Sequence, residues 1–235
     1  MNVLVVVPTY NESDNIPALV PAVLAHEGYR MLIVDDGSPD GTGALAERLA
    51  QQYPGRLEVM HRTGVRGLGR SYLDGLRHAL QTDAAFICQM DADLSHNPQY
   101  LPTLVEAAAR EYDLVIGSRY LQGVSVVNWP LSRILLSTFA NRYIKGVTGL
   151  SPADCTSGYR CWRREALAKL RLDRVVTEGY AFLVEMLFEA ARTGARIGEV
   201  PIIFIERRLG QSKVSKKVLI ESLIAPWRLK LRGRR

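Results

Sequence analysis

The chain has 235 residues, 47% hydrophobic and 23% charged, with a formal net charge of +6; these are values of an ordinary globular protein long enough to bury a sizeable core. No apolar run approaches the ~18 residues of a spanning helix, and three cysteines without a CxxC pair fit reduced thiols and give no zinc site. The charge is uneven: residues 206–235 carry ten Lys/Arg against Glu206 and Glu221, a net +8, while the first 205 carry 20 basic and 22 acidic groups. A basic tail on a neutral body argues for an anionic surface near the tail and against a nucleic-acid-binding face on the body.

The N-terminus enters Val3-Leu4-Val5-Val6-Val7 with no basic n-region, so no signal peptide is expected. Residues 2–7 read as a strand buried on both faces, followed by a helix from about Asn15 to Ala25 with Pro17 in its first turn. A strand at 30–34 ends in Asp35-Asp36-Gly37-Ser38-Pro39-Asp40-Gly41-Thr42, and a helix then runs to about Tyr53. This alternation implies right-handed βαβ units and a parallel sheet. A short strand over 57–60, a helix over 70–80, a strand over 84–90, a helix over 98–110 and a strand over 113–117 continue the pattern.

Beyond residue 122 the pattern changes. Leu131, Ile134, Leu135, Phe139 and Ile144 recur at helical spacing beside Arg133, Arg142 and Lys145, which suits either a core helix or one lying at a membrane surface. A turn at 154–160 leads to a strand, a helix covers 179–193, and an edge-like strand covers 198–205. From Val214 onward Ile220, Leu223, Ile224, Trp227 and Leu231 form a stripe among Lys and Arg, with Pro226 expected to kink or restart that helix.

The most informative stretch is Phe86 to Pro98. An apolar strand ends in Asp91-Ala92-Asp93-Leu94-Ser95-His96, at the sheet edge where open α/β folds bind ligands. Two carboxylates this close repel unless a cation or buried donors offset them, and a hard divalent ion does so through oxygen. A solvated Asx turn is the alternative. The glycines of Gly64-Val65-Arg66-Gly67-Leu68-Gly69 match neither a P-loop nor a dinucleotide fingerprint; a helix-entry turn accounts for them equally well.

Taken with Pro8-Thr9-Tyr10-Asn11-Glu12, Asp35 to Thr42, Gly67-Leu68-Gly69, Gly117-Ser118-Arg119-Tyr120, Thr156-Ser157-Gly158-Tyr159-Arg160 and Gly210-Gln211-Ser212-Lys213, the chain resembles the inverting GT-A glycosyltransferases. Within them it is most similar to the polyprenyl (dolichyl) phosphate mannose synthases, in the short form without transmembrane helices. Each motif is weak alone, but together they span nearly the whole chain in the family's order. The resemblance implies an α/β, Rossmann-like, mostly parallel sheet flanked by helices. Residues 1–212 would be the catalytic domain, with 1–122 the nucleotide-sugar-binding half and 123–212 the acceptor-side half. Residues 213–235 would be a basic amphipathic tail at a membrane interface.

By the same resemblance, Pro8, Tyr10 and Glu12 hold the nucleotide base and ribose, with Ile33 and Asp35 beneath. Asp91, Ala92 and Asp93 form the donor motif, Asp91 and Asp93 binding Mg²⁺ or Mn²⁺. Some members have Gln where this chain has Ser95, so Ser95 or a water is the third ligand. Arg119, Arg133, Arg207 and Lys213 match basic positions around the donor and acceptor phosphates, Arg119 and Arg133 with the catalytic pair. Glu178 and Glu185 are the available base-like carboxylates. The implied reaction moves mannose from GDP-mannose to polyprenyl or dolichyl phosphate, at the cytoplasmic face of a membrane to which the protein is peripheral. A sister enzyme using UDP-glucose or another sugar nucleotide fits the same residues, and a non-catalytic sugar-nucleotide or lipid binder is the rival from another class. No nucleic-acid partner is expected.

Overall fold

In the computed structural model the described residues are 1–175, 177, 179–206 and 216–232, with the side chains of residues 180 and 216–222 outside them. The first half runs β1 (Val3–Thr9), α1 (Ile16–Leu24), β2 (Tyr29–Asp35), α2 (Thr42–Gln52), β3 (Leu57–His61), α3 (Leu68–Ala79), β4 (Phe86–Gln89), α4 (Leu101–Arg110) and β5 (Leu114–Ser118). The second half follows with β6 (Val126–Val127), α5 (Leu131–Thr148), β7 (Arg160–Arg163), α6 (Arg164–Ala168) and α7 (Gly179–Arg192). It ends with β8 (Ile197–Pro201), β9 (Phe204–Ile205) and α8 (Lys216–Arg232). Seven strands form one sheet in the order β3-β2-β1-β4-β7-β5-β8, and β6 and β9 form a separate two-stranded ribbon. All pairs in the large sheet are parallel except those of β7, which runs antiparallel between β4 and β5.

The near-continuous apolar run of β1 has a simple cause: both faces of the sheet are covered. Leu4 and Val6 pack in one layer with Tyr72 and Leu76 of α3 and Phe182 and Leu187 of α7. Val3, Val5 and Val7 pack in the other with Ile16, Leu19, Val20 and Val23 of α1 and Leu101, Leu104 and Val105 of α4. Helix α3 lies so close to β1 and β2 that a Cβ at Gly75 would sit 2.5 Å from Val6 Cγ1 and 2.9 Å from Val34 Cγ2. Because β1, β2, β4 and β5 are parallel, Tyr10, Asp35, Asp91 and Arg119 all emerge at the same edge of the sheet.

Several boundaries differ from the sequence reading. The central strand stops at Gln89, so Asp91 stands two residues beyond it, and α3 opens at Leu68 instead of Arg70. The expected single strand over 198–205 is two. β8 pairs with β5 as far as Pro201, then Ile202 turns inward against Gly117, and the chain re-pairs as β9 with β6. Proline at 201 has no N–H to continue a ladder, which favours the break there.

Helix α8 is continuous through Pro226 and neither stops nor restarts. Its packing holds the turn that proline weakens: Ala225 and Leu229 are buried, and α8 lies against both α7 and α5. Trp227 Nε1 donates to the Tyr143 hydroxyl (2.9 Å), which donates to the Leu223 carbonyl (2.7 Å). The tail is therefore a docked helix over its described length.

Candidate active site

The site begins where β1 and β2 end. Asn11 adopts a left-handed φ of 60°, a conformation Asn tolerates better than most residues, and this turns the chain back over the sheet edge. Side chains of the β2–α2 loop then take up the next amides: Ser38 Oγ accepts from Asn11 N (3.0 Å), Thr42 Oγ1 from Glu12 N (2.9 Å) and Asp40 from Ser13 N (3.1 Å). Partial burial pushes the Asp40 carboxyl up, but hydrogen bonds from Thr42 and Ser13 bring it down to about 2. Glu12 in turn accepts from Asn15 Nδ2 at 2.7 Å. Pro8 and Ile33 are buried in the adjoining strands, in register with Val34 and Val7.

Asp35 is buried and organises this loop, accepting from Ser38 Oγ (2.5 Å), Ser38 N (3.2 Å) and Thr9 Oγ1 (3.2 Å). Its neighbour Asp36 ties in the third wall, accepting from Gly67 N (2.8 Å) and from Arg62, which also bonds Asp74. Arg66, in the same loop, donates to the Tyr10 hydroxyl (2.6 Å) with its guanidinium 4.9 Å from the ring centre. The glycine-rich stretch is thus a helix-entry turn held to the β2 terminus. Gly69 has a packing reason: a Cβ there would meet the Thr177 carbonyl at 3.0 Å and Phe182 at 3.1 Å.

The carboxylate pair is held from three sides. Asp91 N donates to His96 Nδ1 (3.1 Å) and Tyr72 Oη donates to Asp91 Oδ1 (2.8 Å). Burial lowers the pKa of His96 and keeps the ring neutral, and accepting through Nδ1 fixes the Nε2–H tautomer. Asp93 Oδ1 accepts from Ser95 N (3.1 Å) and Ser95 Oγ (2.5 Å), an Asx turn. Between them Leu94 has φ 60°, strained for a bulky residue and typical of a site fixed by its surroundings. The turn and the carboxylate pair, alternatives on sequence alone, coexist. Ser95 is only 2% exposed and its proton is committed to Asp93. Behind the pair, Tyr159 stacks on His96 with ring centres 4.9 Å apart, and Ser157 Oγ donates to the Gly117 carbonyl. The buried Arg160 donates to the Ser157 and Cys155 carbonyls, and burial brings its pKa down to about 10.

On the neighbouring strand end, Arg119 is buried and bidentate to Asp154, at 2.6 and 2.8 Å, and donates to Thr156 Oγ1 at 2.8 Å. Arg133 from α5 pairs with Glu206 and is one-third exposed. Both guanidiniums lie over the Trp129 ring, at 5.6 and 4.0 Å from its centre, and Trp129 meets Phe204 edge-on. The two arginines are thereby brought together, Arg119 as part of a buried pair and Arg133 at the rim.

The structure unites Pro8, Tyr10, Glu12, Ile33, Asp35, Asp91, Ala92, Asp93, Ser95, Arg119 and Arg133 around one sheet edge; Arg207, Lys213 and Glu178 lie outside the described residues. Glu185, one of the two base-like carboxylates, is placed inside the body. It is 1% exposed and accepts from Thr177 N, Thr177 Oγ1 and Arg232, so its carboxylate holds a loop and the last turn of α8. Sequence reading gave no role to Tyr72, His96, Asp154 or Trp129. Asp154 and Tyr72 carried no local signal, since their partners lie 35 and 19 residues away.

Among the described residues no cluster of three or more His, Cys, Asp or Glu is arranged to hold a metal ion. Two partly exposed carboxylates at one loop nonetheless fit a hard divalent cation that takes its remaining oxygens from substrate and water.

Residues 4–171 match the model for glycosyl transferase family 2. This chain belongs to that family. Among its relatives, the polyprenol monophosphomannose synthase of Mycolicibacterium smegmatis is 45% identical over 234 residues, covering 98% of this chain and 88% of that one. The undecaprenyl-phosphate mannosyltransferase of Micrococcus luteus is 43% identical over 235 residues, covering 100% and 96%. Among solved structures, glucosyl-3-phosphoglycerate synthase from Mycobacterium tuberculosis with Mn²⁺, UDP and phosphoglyceric acid superposes with a TM-score of 0.65 at 21% identity, covering 96% of this chain and 78% of that one. The same enzyme with Mg²⁺ and UDP gives 0.66 at 20% identity, covering 96% and 79%. The fold of this glycosyltransferase is thus GT-A-like, with the mostly parallel sheet and flanking helices that its motifs implied.

Proposed function

We propose that this family 2 glycosyltransferase moves mannose from GDP-mannose to the phosphate of a polyprenol at a membrane surface. The observation that carries this reading is full-length similarity, above 40% identity, to two enzymes named for mannosyl transfer to polyprenyl phosphates. The geometry supports it. Tyr10, Glu12 and the loop ordered by Asp35 bind the nucleoside, and Asp91 and Asp93 face the donor diphosphate. Asp91 and Asp93 would hold Mg²⁺ or Mn²⁺, which would supply charge neutralisation at the leaving diphosphate. The Ser95 proton is given to Asp93, so Ser95 would support that carboxylate rather than act as a ligand itself.

Arg133 meets the acceptor phosphate by exchanging Glu206 for it, while Arg119, locked to Asp154, fixes Trp129 and contributes its field. A phosphomonoester has a second pKa of roughly 6 and is ionised at neutral pH, so its oxygen attacks without a base. The new bond forms at the anomeric carbon as the bond to the diphosphate breaks on the opposite face, the electron pair leaves with GDP, and the configuration inverts. Burial of Glu185 agrees with a base-free route.

The docked α8 supports a membrane-facing reading of the tail and extends it. Exposed Leu223, Ile224, Trp227 and Leu231 on α8 join exposed Leu131, Leu135, Leu136 and Phe139 on α5, and α8 packs on α5. Groups of exposed apolar side chains mark interaction surfaces, and flanking Lys and Arg suit an anionic bilayer on the cytoplasmic side. No helix among the described residues is long and apolar enough to cross a membrane. Because α8 also covers core residues, truncating it tests packing as well as binding. Leu223→Glu with Leu231→Glu alters exposed positions only, and we expect it to lower co-sedimentation with anionic liposomes several-fold while GDP binding holds. Unchanged sedimentation removes α8 from the docking face.

The test of function is transfer of labelled sugar from a panel of sugar nucleotides to polyprenyl phosphate in liposomes, with Mg²⁺ or Mn²⁺ and with chelator. The expected result is chelator-sensitive mannolipid from GDP-mannose alone. Product from UDP-glucose instead changes the donor and keeps the acceptor. Donor binding without lipid product from any donor overturns the acceptor.

A further inference from the structure

Tyr72 is the feature of the site that neither the motifs nor the family relationship accounts for. It is completely buried in α3, three residues before Gly75, and its ring lies parallel to Phe182 at 5.9 Å, tilted by only 6°. A phenylalanine would pack there equally well. The hydroxyl is directed past the core to Asp91, whose side chain is 38% exposed, and donates to Oδ1 at 2.8 Å. Among the described residues it is the hydrogen-bond donor that the Asp91 carboxylate has. His96 holds the Asp91 amide at the other end of the residue.

We infer that Tyr72 is a positioning residue for metal and donor binding. It anchors Oδ1 of Asp91, whose Oδ2 lies 3.8 Å from His96 Nδ1, and so sets the carboxylate for the metal before any ligand arrives. The physical ground is pre-organisation. A free aspartate rotates about two side-chain torsions, and a metal ligand must give up that freedom on binding. A hydrogen bond from a rigid, stacked phenol removes the rotation in advance, and partners that orient ligating carboxylates typically matter 10–100-fold for metal affinity. Gly75 makes the reach possible: with a side chain there, α3 could not lie on β1 and β2, and Tyr72 would be lifted from the strand end. Phe182 carries the same constraint from α7, which ties the geometry of Asp91 to a helix on the acceptor side.

This inference rests on the metal reading of Asp91 and Asp93, and the experiment separates the two. Mn²⁺ is titrated into the protein with GDP present and followed by electron paramagnetic resonance of the free ion, for wild type, Tyr72→Phe, Asp91→Asn and the double variant. We expect Tyr72→Phe to bind Mn²⁺ about 10-fold more weakly. Its melting temperature in chelator should stay within a few degrees of wild type, and its turnover should recover as Mn²⁺ is raised. In the Asp91→Asn background the same change should have no further effect. Unchanged Mn²⁺ affinity in Tyr72→Phe, or an equal loss with Asp91 already altered, overturns the inference and leaves the metal site standing. No Mn²⁺ binding by wild type overturns both. Should Tyr72→Phe fail to fold, Phe182→Leu keeps the hydroxyl but loosens the ring and should weaken Mn²⁺ binding in the same direction by a smaller factor; unchanged affinity there also overturns it.

Discussion

Replacing Asp93 by Asn will lower metal-dependent transfer by about 100-fold or more and weaken donor binding, while the fold is retained. The structure makes this substitution cleaner than the sequence suggested. Asp93 has two duties: Oδ1 receives Ser95 N and Ser95 Oγ, and the carboxylate charge serves the metal. An asparagine carbonyl can still accept both Ser95 bonds, so the turn with its strained Leu94 survives and only the charge is lost. Losing a direct ligand is expected to cost at least the 10–100-fold that outer partners cost. The check is chelator-controlled turnover with donor titration and a thermal melt. Full activity refutes the metal assignment; lost activity with a collapsed melt would instead mean that the turn needs the charge itself.

The second large effect is on stability. Arg119→Ala should destabilise the protein by about 3–5 kcal/mol, because it leaves the fully buried Asp154 charged and unpaired. For a chain of this size that is on the order of 10 °C in melting temperature. Arg119→Ala combined with Asp154→Leu should recover much of the loss, since removing both charges abolishes the desolvation cost.

The pH dependence gives an independent sign. Burial raises the Asp154 carboxyl, but the Arg119 charge and hydrogen bonds override it and hold its pKa below the usual range. A depressed folded pKa means the stabilisation is present above the unfolded value, about 4, and is lost as pH falls through the folded one. Without the Arg119 side chain, burial is opposed only by the hydrogen bonds from the residue 119 amide and from Thr156, so the carboxyl rises relative to wild type and acidification costs the variant less. The melting difference between wild type and Arg119→Ala should therefore narrow as the solution is acidified towards pH 4. A constant gap refutes the pairing argument. These measurements also decide how far lost turnover at Arg119 reflects phosphate chemistry and how far it reflects the frame.

What the sequence determined by itself was the part that local chemistry encodes. Alternating apolar strands and amphipathic helices report burial on two faces, so β1 to β5 and the helices between them were legible from residues 2–117. Asp91-Ala92-Asp93 announced itself because two carboxylates two residues apart, after a buried strand, have few stable surroundings. The whole motif set then pointed to the family, which the full-length relatives bear out.

The tertiary structure decided whatever depends on partners distant in the chain. Glu185 looked like an available carboxylate, yet Thr177 and Arg232 take it up 8 and 47 residues away. Arg119 matched a phosphate-binding position, and the structure adds its buried partner Asp154, 35 residues away. The tail read as an amphipathic appendage with a proline break, whereas burial of Ala225 and Leu229 docks it unbroken on the body. A strand or a helix has a period that one segment can display. A buried ion pair or a hydroxyl on a carboxylate is a meeting of two segments, and desolvation makes that meeting obligatory only once the chain has folded.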